Sequence, residues 1–137
     1  MQGDGCHLFV ICKINKHPFK VLIDTGASRS AFDITEIEKC MQDVEHEENQ
    51  QMTTGLGSNT VQSYFCNFDS FEIGDLQLYN YQAVLLDMSH VNSSYKSLGI
   101  DTIVGVIGGD ILSAYNAIID YKKKEITFKN IKKSIIS

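Results

Sequence analysis

The chain has 137 residues, of which 43% are apolar and one is proline, so we expect a single domain, 1–137, with enough apolar side chains for one core. Its 12 basic and 17 acidic residues give a net charge of -5, which argues against a nucleic-acid or acidic-membrane partner. No stretch reaches the ~20 apolar residues of a membrane span. No basic-then-apolar signal sequence opens the chain, so a cytoplasmic location is expected.

The cysteines and histidines show no metal-binding pattern. None of the four cysteines forms a C-x-x-C pair, which argues against a zinc site or a thioredoxin-type motif, and the four histidines share no metal-ligand spacing. The sequence therefore predicts no metal site. We interpret the cysteines as reduced apolar residues of strands and a helix: Cys6, Cys12, Cys40 and Cys66.

The first third of the chain predicts a hairpin and a helix. Residues 6–14 form a strand-like run, an Asn-Lys-His turn follows, and residues 18–24 return as a second strand. The stretch 33–41 has apolar residues at helical spacing, with Asp33 or Thr35 as its N-terminal cap.

The middle of the chain predicts a solvated loop and then a hairpin with a mobile tip. The acidic run at 43–48 is interpreted as the solvated loop, because charge runs usually face water. Residues 51–65 are polar in their centre, where Gly55 and Gly57 mark the bend of the hairpin.

Turn residues divide the second half of the chain into short elements. A hairpin at 71–79 turns at Gly74-Asp75, a strand runs through 83–87, and a short helix at 89–99 ends at Gly99. Residues 102–116 contain a buried strand, a glycine pair and a helix that opens at Asp110, and two more strands follow at 117–121 and 125–129. The fold class is therefore all-β, with two or three short helices.

An acidic residue at the end of a buried strand indicates a functional site. The apolar run before Asp24 predicts such a strand, and a carboxylate there is costly unless it is paired or hydrogen-bonded. Gly26 and Ala27 allow a tight turn whose backbone N–H groups point at the carboxylate. Ser28 can donate a hydrogen bond to its outer oxygen, and Thr25 can anchor the turn through its hydroxyl.

Such a carboxylate can act with a second one. Two close acids share one proton, so that one polarises a carbonyl group while the other activates a water molecule. The alternative is an aspartate that only satisfies its own turn. The strand before the motif, the glycine-tipped hairpin after it and the Val-Ile-Gly-Gly-Asp-Ile-Leu element at 106–112 favour the functional interpretation.

The chain resembles the retropepsin-like aspartic proteases, the single-domain relatives of pepsin, from about Cys6 to Lys129. It is more similar to their bacterial and cellular branch than to viral members, because the connection from Asp87 to Thr102 is long. Four segments carry the resemblance, in the family's order: Asp24-Thr25-Gly26-Ala27-Ser28 as catalytic loop, Gly55-Leu56-Gly57-Ser58 as flap, Val106-Ile107-Gly108 as glycine motif, and Asp110-Ile111-Leu112 as the start of the following helix.

The resemblance implies a closed β-barrel of the acid protease fold and endopeptidase activity on a peptide or protein substrate, without metal, cofactor or covalent intermediate. It implies that Asp24, Thr25 and Gly26 are catalytic and that Ala27 and Ser28 support their loop. The flap and the glycine motif are implied to bind substrate. We expect apolar pocket residues that include Ala27, Leu56, Ile107 and part of 83–88.

The mechanism needs two carboxylates, and the chain has one Asp-Thr-Gly. Asp110 is interpreted as a helix N-cap, and Asp101 and Asp120 lack the flanking turn residues. A second copy is therefore expected to supply its own Asp24 across a two-fold axis, as a homodimer. The tail after Lys129 does not match the strand through which viral members dimerise.

Two further features of the loop are expected. By the resemblance, Thr25 lies at the dimer seam and bonds across the two-fold axis. An ion pair between Arg29 and Asp110 would brace the catalytic loop against the helix that follows the glycine motif.

Two other functions fit parts of the sequence. A catalytically silent protease-like domain could bind peptides or a partner at exposed hairpin edges, although the intact Asp24-Thr25-Gly26 argues for catalysis. Phosphate chemistry also uses Asp-x-Gly turns. It fits poorly, because the chain is too short for two large domains, has no P-loop, and has Gly26 where aspartyl-phosphate enzymes need a second acid.

Overall fold

The computed structural model describes residues 7–39 and 62–129 in full, together with the backbone of residues 2–3, 40 and 46–49. Within these residues there are ten strands and three helices. The strands are β1 Gln2–Gly3, β2 Leu8–Ile14, β3 His17–Ile23, β4 Ala31–Asp33, β5 His46–Asn49, β6 Ser63–Ile73, β7 Leu76–Leu86, β8 Gly105–Ile107, β9 Ile118–Asp120 and β10 Glu125–Thr127. The helices are α1 Ile34–Cys40, α2 Ser89–Ser97 and α3 Gly109–Ala114.

Six strands close into a barrel. They follow one another in the order β2, β3, β8, β4, β7, β6, and β6 pairs back onto β2 to complete the ring. β1 and β5 add to β2 and β6, whereas β9 and β10 form a separate two-stranded sheet. The predicted closed β-barrel with short helices is confirmed.

The first hairpin has a tight turn that also helps to close the barrel. β2 and β3 are antiparallel in the register Ile14 opposite His17, so two residues form the turn. Both of them, Asn15 and Lys16, have positive φ values of 49° and 72°, as favoured two-residue hairpin turns require. Asn15 also bonds Ser70 of β6 in both directions, at 2.8 and 3.1 Å.

The core is built around aromatic rings. Phe32, Phe68 and Phe71 are fully buried, and Phe32 meets the other two rings edge-on at centroid distances of 5.3 and 5.7 Å. Such pairs stabilise a core beyond the area they bury. Phe32 belongs to the short strand β4, so these contacts fix the chain just after the Asp24 turn.

Most predicted elements are confirmed in their place. Asp33, and not Thr35, caps α1, because its Oδ2 accepts a hydrogen bond from the Glu36 N–H at 3.1 Å. The second hairpin turns at Gly74, where φ is +55°, and α2 ends before Gly99, where φ is +78°.

Two predictions for the middle of the chain have different outcomes. The interpretation of 43–48 as a loop is wrong for its last residues, because Glu47 and Glu48 lie in β5, which pairs with β6 in the register His46 opposite Cys66. The tip of the hairpin predicted at 51–65 lies outside the described residues.

The described residues contain neither a membrane span nor a metal cluster. None of the three helices is long and apolar enough to cross a membrane. No group of three or more His, Cys, Asp or Glu side chains among them could hold a metal ion. The thiols of Cys12 and Cys66 are free and buried, as predicted, whereas the side chains of the other two cysteines lie outside the description.

Candidate active site

Parallel pairing brings the Asp24 turn and the glycine motif together. β3 and β8 run in parallel with Ile23 beside Ile107, so the residues that follow both strands lie at the same edge of the barrel. The backbone N–H of Asp24 donates to the carbonyl of Ile107 at 2.9 Å. The chain then passes over the end of β8 and returns as β4 on the other side, antiparallel to β8.

The turn holds one oxygen of the Asp24 carboxylate. The Gly26 N–H donates to Oδ1 at 3.0 Å, and the Ala27 N–H donates to the backbone carbonyl of Asp24 at 3.1 Å. These bonds fix the direction of a half-buried carboxylate at the protein surface. The prediction that Ser28 donates to the outer oxygen is wrong, because the described residues show no hydrogen bond between the two side chains.

Thr25 and Ser28 are exposed, and Ala27 is half buried. The Thr25 hydroxyl makes no hydrogen bond to the described residues of its own chain, so its role as an anchor of the turn stays a prediction. The Ala27 carbonyl instead fastens the loop, because it accepts a hydrogen bond of 2.7 Å from the Gly109 N–H at the start of α3.

Ser30 joins the end of the loop to α3, a role that the sequence did not reveal. Its backbone N–H lies 3.0 Å from both carboxylate oxygens of Asp110, and its hydroxyl donates to Oδ1 at 2.8 Å. The same hydroxyl oxygen accepts a hydrogen bond of 2.9 Å from the buried Gly108 N–H. Ser30 is only 1% exposed, and its bond from Gly108 is buried, whereas its bonds to the exposed Asp110 are partly buried.

Asp110 has a different role from the one predicted. α3 begins at Gly109, and the N-cap position is Gly108, with no side-chain hydrogen bond. Asp110 lies in the first turn and accepts from Ser30 and from the Ile111 N–H at 2.9 Å. The predicted Arg29–Asp110 ion pair is wrong, because no ion pair joins these two described residues and the Asp110 carboxylate accepts from Ser30 and Ile111 instead.

Tyr81 lies beside this group of residues. Burial, and to a smaller extent the negative charge of Asp110, raise its pKa to about 12, although the charge of Arg29 and a hydrogen bond with Ser30 act in the opposite direction. The phenol therefore keeps its proton at neutral pH and remains a hydrogen-bond donor behind the loop.

The glycine motif is required for close packing against the loop. A Cβ atom on Gly108 would lie 2.7 Å from the Ala27 carbonyl oxygen and 3.0 Å from the Arg29 backbone, closer than side chains normally approach. Ile107 is fully buried in the core, whereas Val106 is half buried. Of the two, only Val106 has side-chain surface left to contact a ligand.

The expected flap residues, Gly55, Leu56, Gly57 and Ser58, lie outside the described residues. The strands on either side of them, β5 and β6, are paired, with Asn49 opposite Ser63. The flap assignment therefore remains a prediction.

The comparisons with known proteins agree with this geometry. A model of the aspartyl protease family matches residues 10–111, which include the Asp24 turn and the glycine motif. The chain belongs to the aspartyl protease family. No curated protein matches it at a significant level.

Three similar solved structures share the fold. The retroviral protease-like domain of Ddi1 from Leishmania major is 20% identical, with 91% of this chain and 90% of that one covered and a TM-score of 0.58. The EIAV protease, in an inhibitor complex, is 17% identical, with 83% and 92% covered and a TM-score of 0.57. A retropepsin-like aspartic protease from Rickettsia conorii is 18% identical, with 87% and 80% covered and a TM-score of 0.53.

Proposed function

We propose that the protein is an aspartic endopeptidase whose active site forms between the Asp24 residues of two copies. The observation that carries this proposal is the position of Asp24, which follows β3 at an open edge of the barrel with Oδ1 held by the Gly26 N–H at 3.0 Å. A carboxylate that only completed its own turn would not need a buried strand, a glycine motif and a helix packed behind it.

The proposed reaction needs one proton shared by two carboxylates. The protonated Asp24 polarises the carbonyl of the scissile peptide bond, and the ionised Asp24 of the second copy takes a proton from the attacking water. The tetrahedral intermediate then collapses as a proton passes to the leaving nitrogen. Two close acids do not ionise independently, so the pair titrates as a unit and the rate should be bell-shaped in pH.

A second copy has a surface to dock on. β9 and β10 form a two-stranded sheet that pairs with no other described strand. Ile119 and Ile126 pack against the core, whereas Ile118 and Tyr121 are exposed. A lone two-stranded sheet is marginally stable in water, and pairing with its copy across a two-fold axis would extend it to four strands.

Further roles follow from this proposal. Thr25, exposed beside Asp24, would bond across the two-fold axis, and residues 55–58 would cover the bound peptide. Val106 would line the pocket. The buried reduced thiols of Cys12 and Cys66 fit a reducing compartment such as the cytoplasm.

The test is peptide cleavage measured over a range of protein concentrations, with sedimentation of the same samples. Specific activity should rise with the dimer fraction, and Asp24→Asn should abolish cleavage while the protein stays folded. Asp101→Asn is the matched control, because the Asp101 carboxylate is exposed and only its ion pair with Lys20 is lost. Cleavage by Asp24→Asn, or activity proportional to monomer, would contradict the proposal.

The alternative is a silent protease-like domain that binds a peptide or partner without cutting it. The likeness to the protease-like domain of Ddi1 keeps this alternative open. The same assay separates the two functions, because a silent domain would retain peptide binding in wild type and Asp24→Asn alike and release no product from either.

A further inference from the structure

The strand register places His7 beside Asp24. β2 and β3 are paired as far as Leu8 opposite Ile23, and one further step along this register sets His7 opposite Asp24. Opposite residues of an antiparallel pair share a face. The His7 and Phe9 rings support this placement, because they stack on one side of β2 with centroids 6.4 Å apart.

The same face continues into an apolar cluster beside the catalytic loop. Alternate residues of a strand share a face, so Leu22 lies on the side of β3 that carries Asp24. On the neighbouring strand β2, Phe9 lies opposite Leu22, and on the other neighbouring strand, β8, Val106 lies beside Leu22. These three side chains lie in one cluster with Met88 and residues that α2 and its flanks supply.

Helix α2 contributes Tyr95 to this cluster. The Tyr95 ring meets the His7 ring edge-on at a centroid distance of 5.6 Å. Burial raises the pKa of Tyr95 and the negative charge of Asp24 raises it further, so the phenol lies within electrostatic reach of the carboxylate.

The backbone and side-chain contacts of α2 hold Tyr95 in position. The Asn92 amide bonds both backbone groups of Ile103, at 3.1 and 2.9 Å, which ties the helix to the segment before β8. The Tyr95 carbonyl accepts the N–H groups of Leu98 and Ile100, at 3.0 and 2.8 Å. The helix lies in the long connection between Asp87 and Thr102.

We propose that Tyr95 is a specificity-determining residue, which forms with His7 and Val106 one wall of the cleft beside Asp24. This inference rests on the proposed function and names its substrate class. The wall is aromatic and apolar, so it favours a peptide with an aromatic side chain next to the scissile bond, stacked on the Tyr95 ring. An acidic side chain is disfavoured there, because it would approach the negative charge of Asp24.

Two peptides that differ only in Phe or Ala beside the central bond test the assignment. Wild type should cleave the Phe peptide with the higher kcat/KM. Tyr95→Ala should reduce that preference by about fivefold to tenfold, as expected for the loss of one aromatic contact, and Tyr95→Phe should keep it. Tyr79→Ala is the matched control, because Tyr79 is 68% exposed on β7, and it should leave the preference unchanged.

A binding arm separates failure of the inference from failure of the proposed function. The same peptides are titrated against Asp24→Asn and against Asp24→Asn carrying Tyr95→Ala. A preference for Phe that disappears with Tyr95→Ala supports the inference even if wild type cleaves neither peptide, which would overturn the proposed function alone. An equal loss on both peptides, or an unchanged preference, overturns the inference. If Tyr95→Ala unfolds, Tyr95→Leu replaces it, with the same expected loss of preference.

Discussion

Ser30 and Asp110 are 80 residues apart in sequence, yet Asp110 accepts hydrogen bonds from both the backbone N–H and the hydroxyl of Ser30. The Ser30 hydroxyl oxygen also accepts the N–H of Gly108, so one buried side chain joins the end of the Asp24 loop, the glycine motif and α3. Charged acceptors strengthen such bonds. The Asp24 loop is therefore fastened to α3 and the glycine motif at its C-terminal end, while Asp24 lies at the open edge of the barrel.

Replacing Ser30 with Ala should destabilise the protein and lower its activity. The buried Gly108 N–H loses its acceptor, which costs about 1–3 kcal/mol of unfolding free energy. The loop then moves relative to β8, so we expect kcat to fall more than KM rises. Urea unfolding at one fixed protein concentration and steady-state kinetics measure the two effects.

Ser97→Ala is the control for that substitution. Ser97 is exposed and its hydroxyl bonds only the Ser94 carbonyl within α2, so a change within about 0.5 kcal/mol is expected. Equal effects of the two substitutions would show that Ser30 does not brace the loop.

The two adjacent glycines should respond differently to alanine. In Gly108→Ala, the new methyl group would lie 2.7 Å from the Ala27 carbonyl oxygen, so the Asp24 loop must shift. Overpacking of this kind costs about 1–3 kcal/mol, and we expect a large loss of kcat as well. Thermal unfolding and peptide cleavage measure both effects.

Gly109→Ala is the matched partner of this variant. Its methyl group would lie 3.5 Å from the same oxygen, an ordinary contact, and alanine suits a helical position better than glycine. Stability and cleavage should stay near wild type. Comparable losses in both variants would mean that the short distance at Gly108 does not matter.

Local patterns in the sequence predicted the elements and the Asp24 turn, because both depend on neighbouring residues. The strand that ends at Asp24 and the small residues after it were sufficient to place the carboxylate and its bond from Gly26. The Asp33 cap was likewise visible, since its partner is three residues away. The second bond of Asp33, from the Met88 N–H at 2.9 Å, was not predictable because it spans 55 residues.

The predictions from sequence were wrong where contacts between distant segments of the chain determine the local structure. Asp110 resembled an N-cap because helix starts are uncertain by a residue or two, and its actual partner depends on the parallel register of β3 and β8. Arg29 was the expected ionic partner of Asp110, but the Asp110 carboxylate accepts hydrogen bonds from the buried Ser30 instead. The acidic residues of β5 indicated a loop by composition, but pairing with β6 overrides that weak preference.

Because of the buried thiol of Cys12, the unfolding free energy should depend on pH in the alkaline range. Burial raises its pKa from the ordinary value of 9.0 to about 12. Below pH 9 the folded and unfolded chains both hold the Cys12 proton, so the unfolding free energy is not reduced by ionisation of this thiol there. Between pH 9 and 12 only the unfolded chain loses its proton, so the unfolding free energy falls as the pH rises.

The measurement compares urea unfolding at pH 8 and pH 10 in wild type and Cys12→Ala. The wild-type loss should exceed that of the variant by about 1 kcal/mol. Val21→Ala is the control, because Val21 is equally buried and does not titrate; it should lower stability by a similar amount at both pH values. A Cys12→Ala variant with the full wild-type pH dependence would refute the assignment.

The exposed face of the β9–β10 hairpin should control dimerisation and thereby activity. Ile118 is 51% exposed on a sheet that pairs with no other described strand. Ile118→Asp would place two like charges near one another at a two-fold interface, which opposes association. We expect cleavage to fall by at least about tenfold at low protein concentration, a cost of ~1.4 kcal/mol in dimer stability, and to recover as concentration rises.

Ile11→Asp changes an isoleucine of similar exposure, 56%, on β2 and should leave the concentration dependence unaltered. Sedimentation should show the same shift from dimer to monomer for Ile118→Asp alone. A variant that remains dimeric and fully active at every concentration would move the dimer interface away from this hairpin.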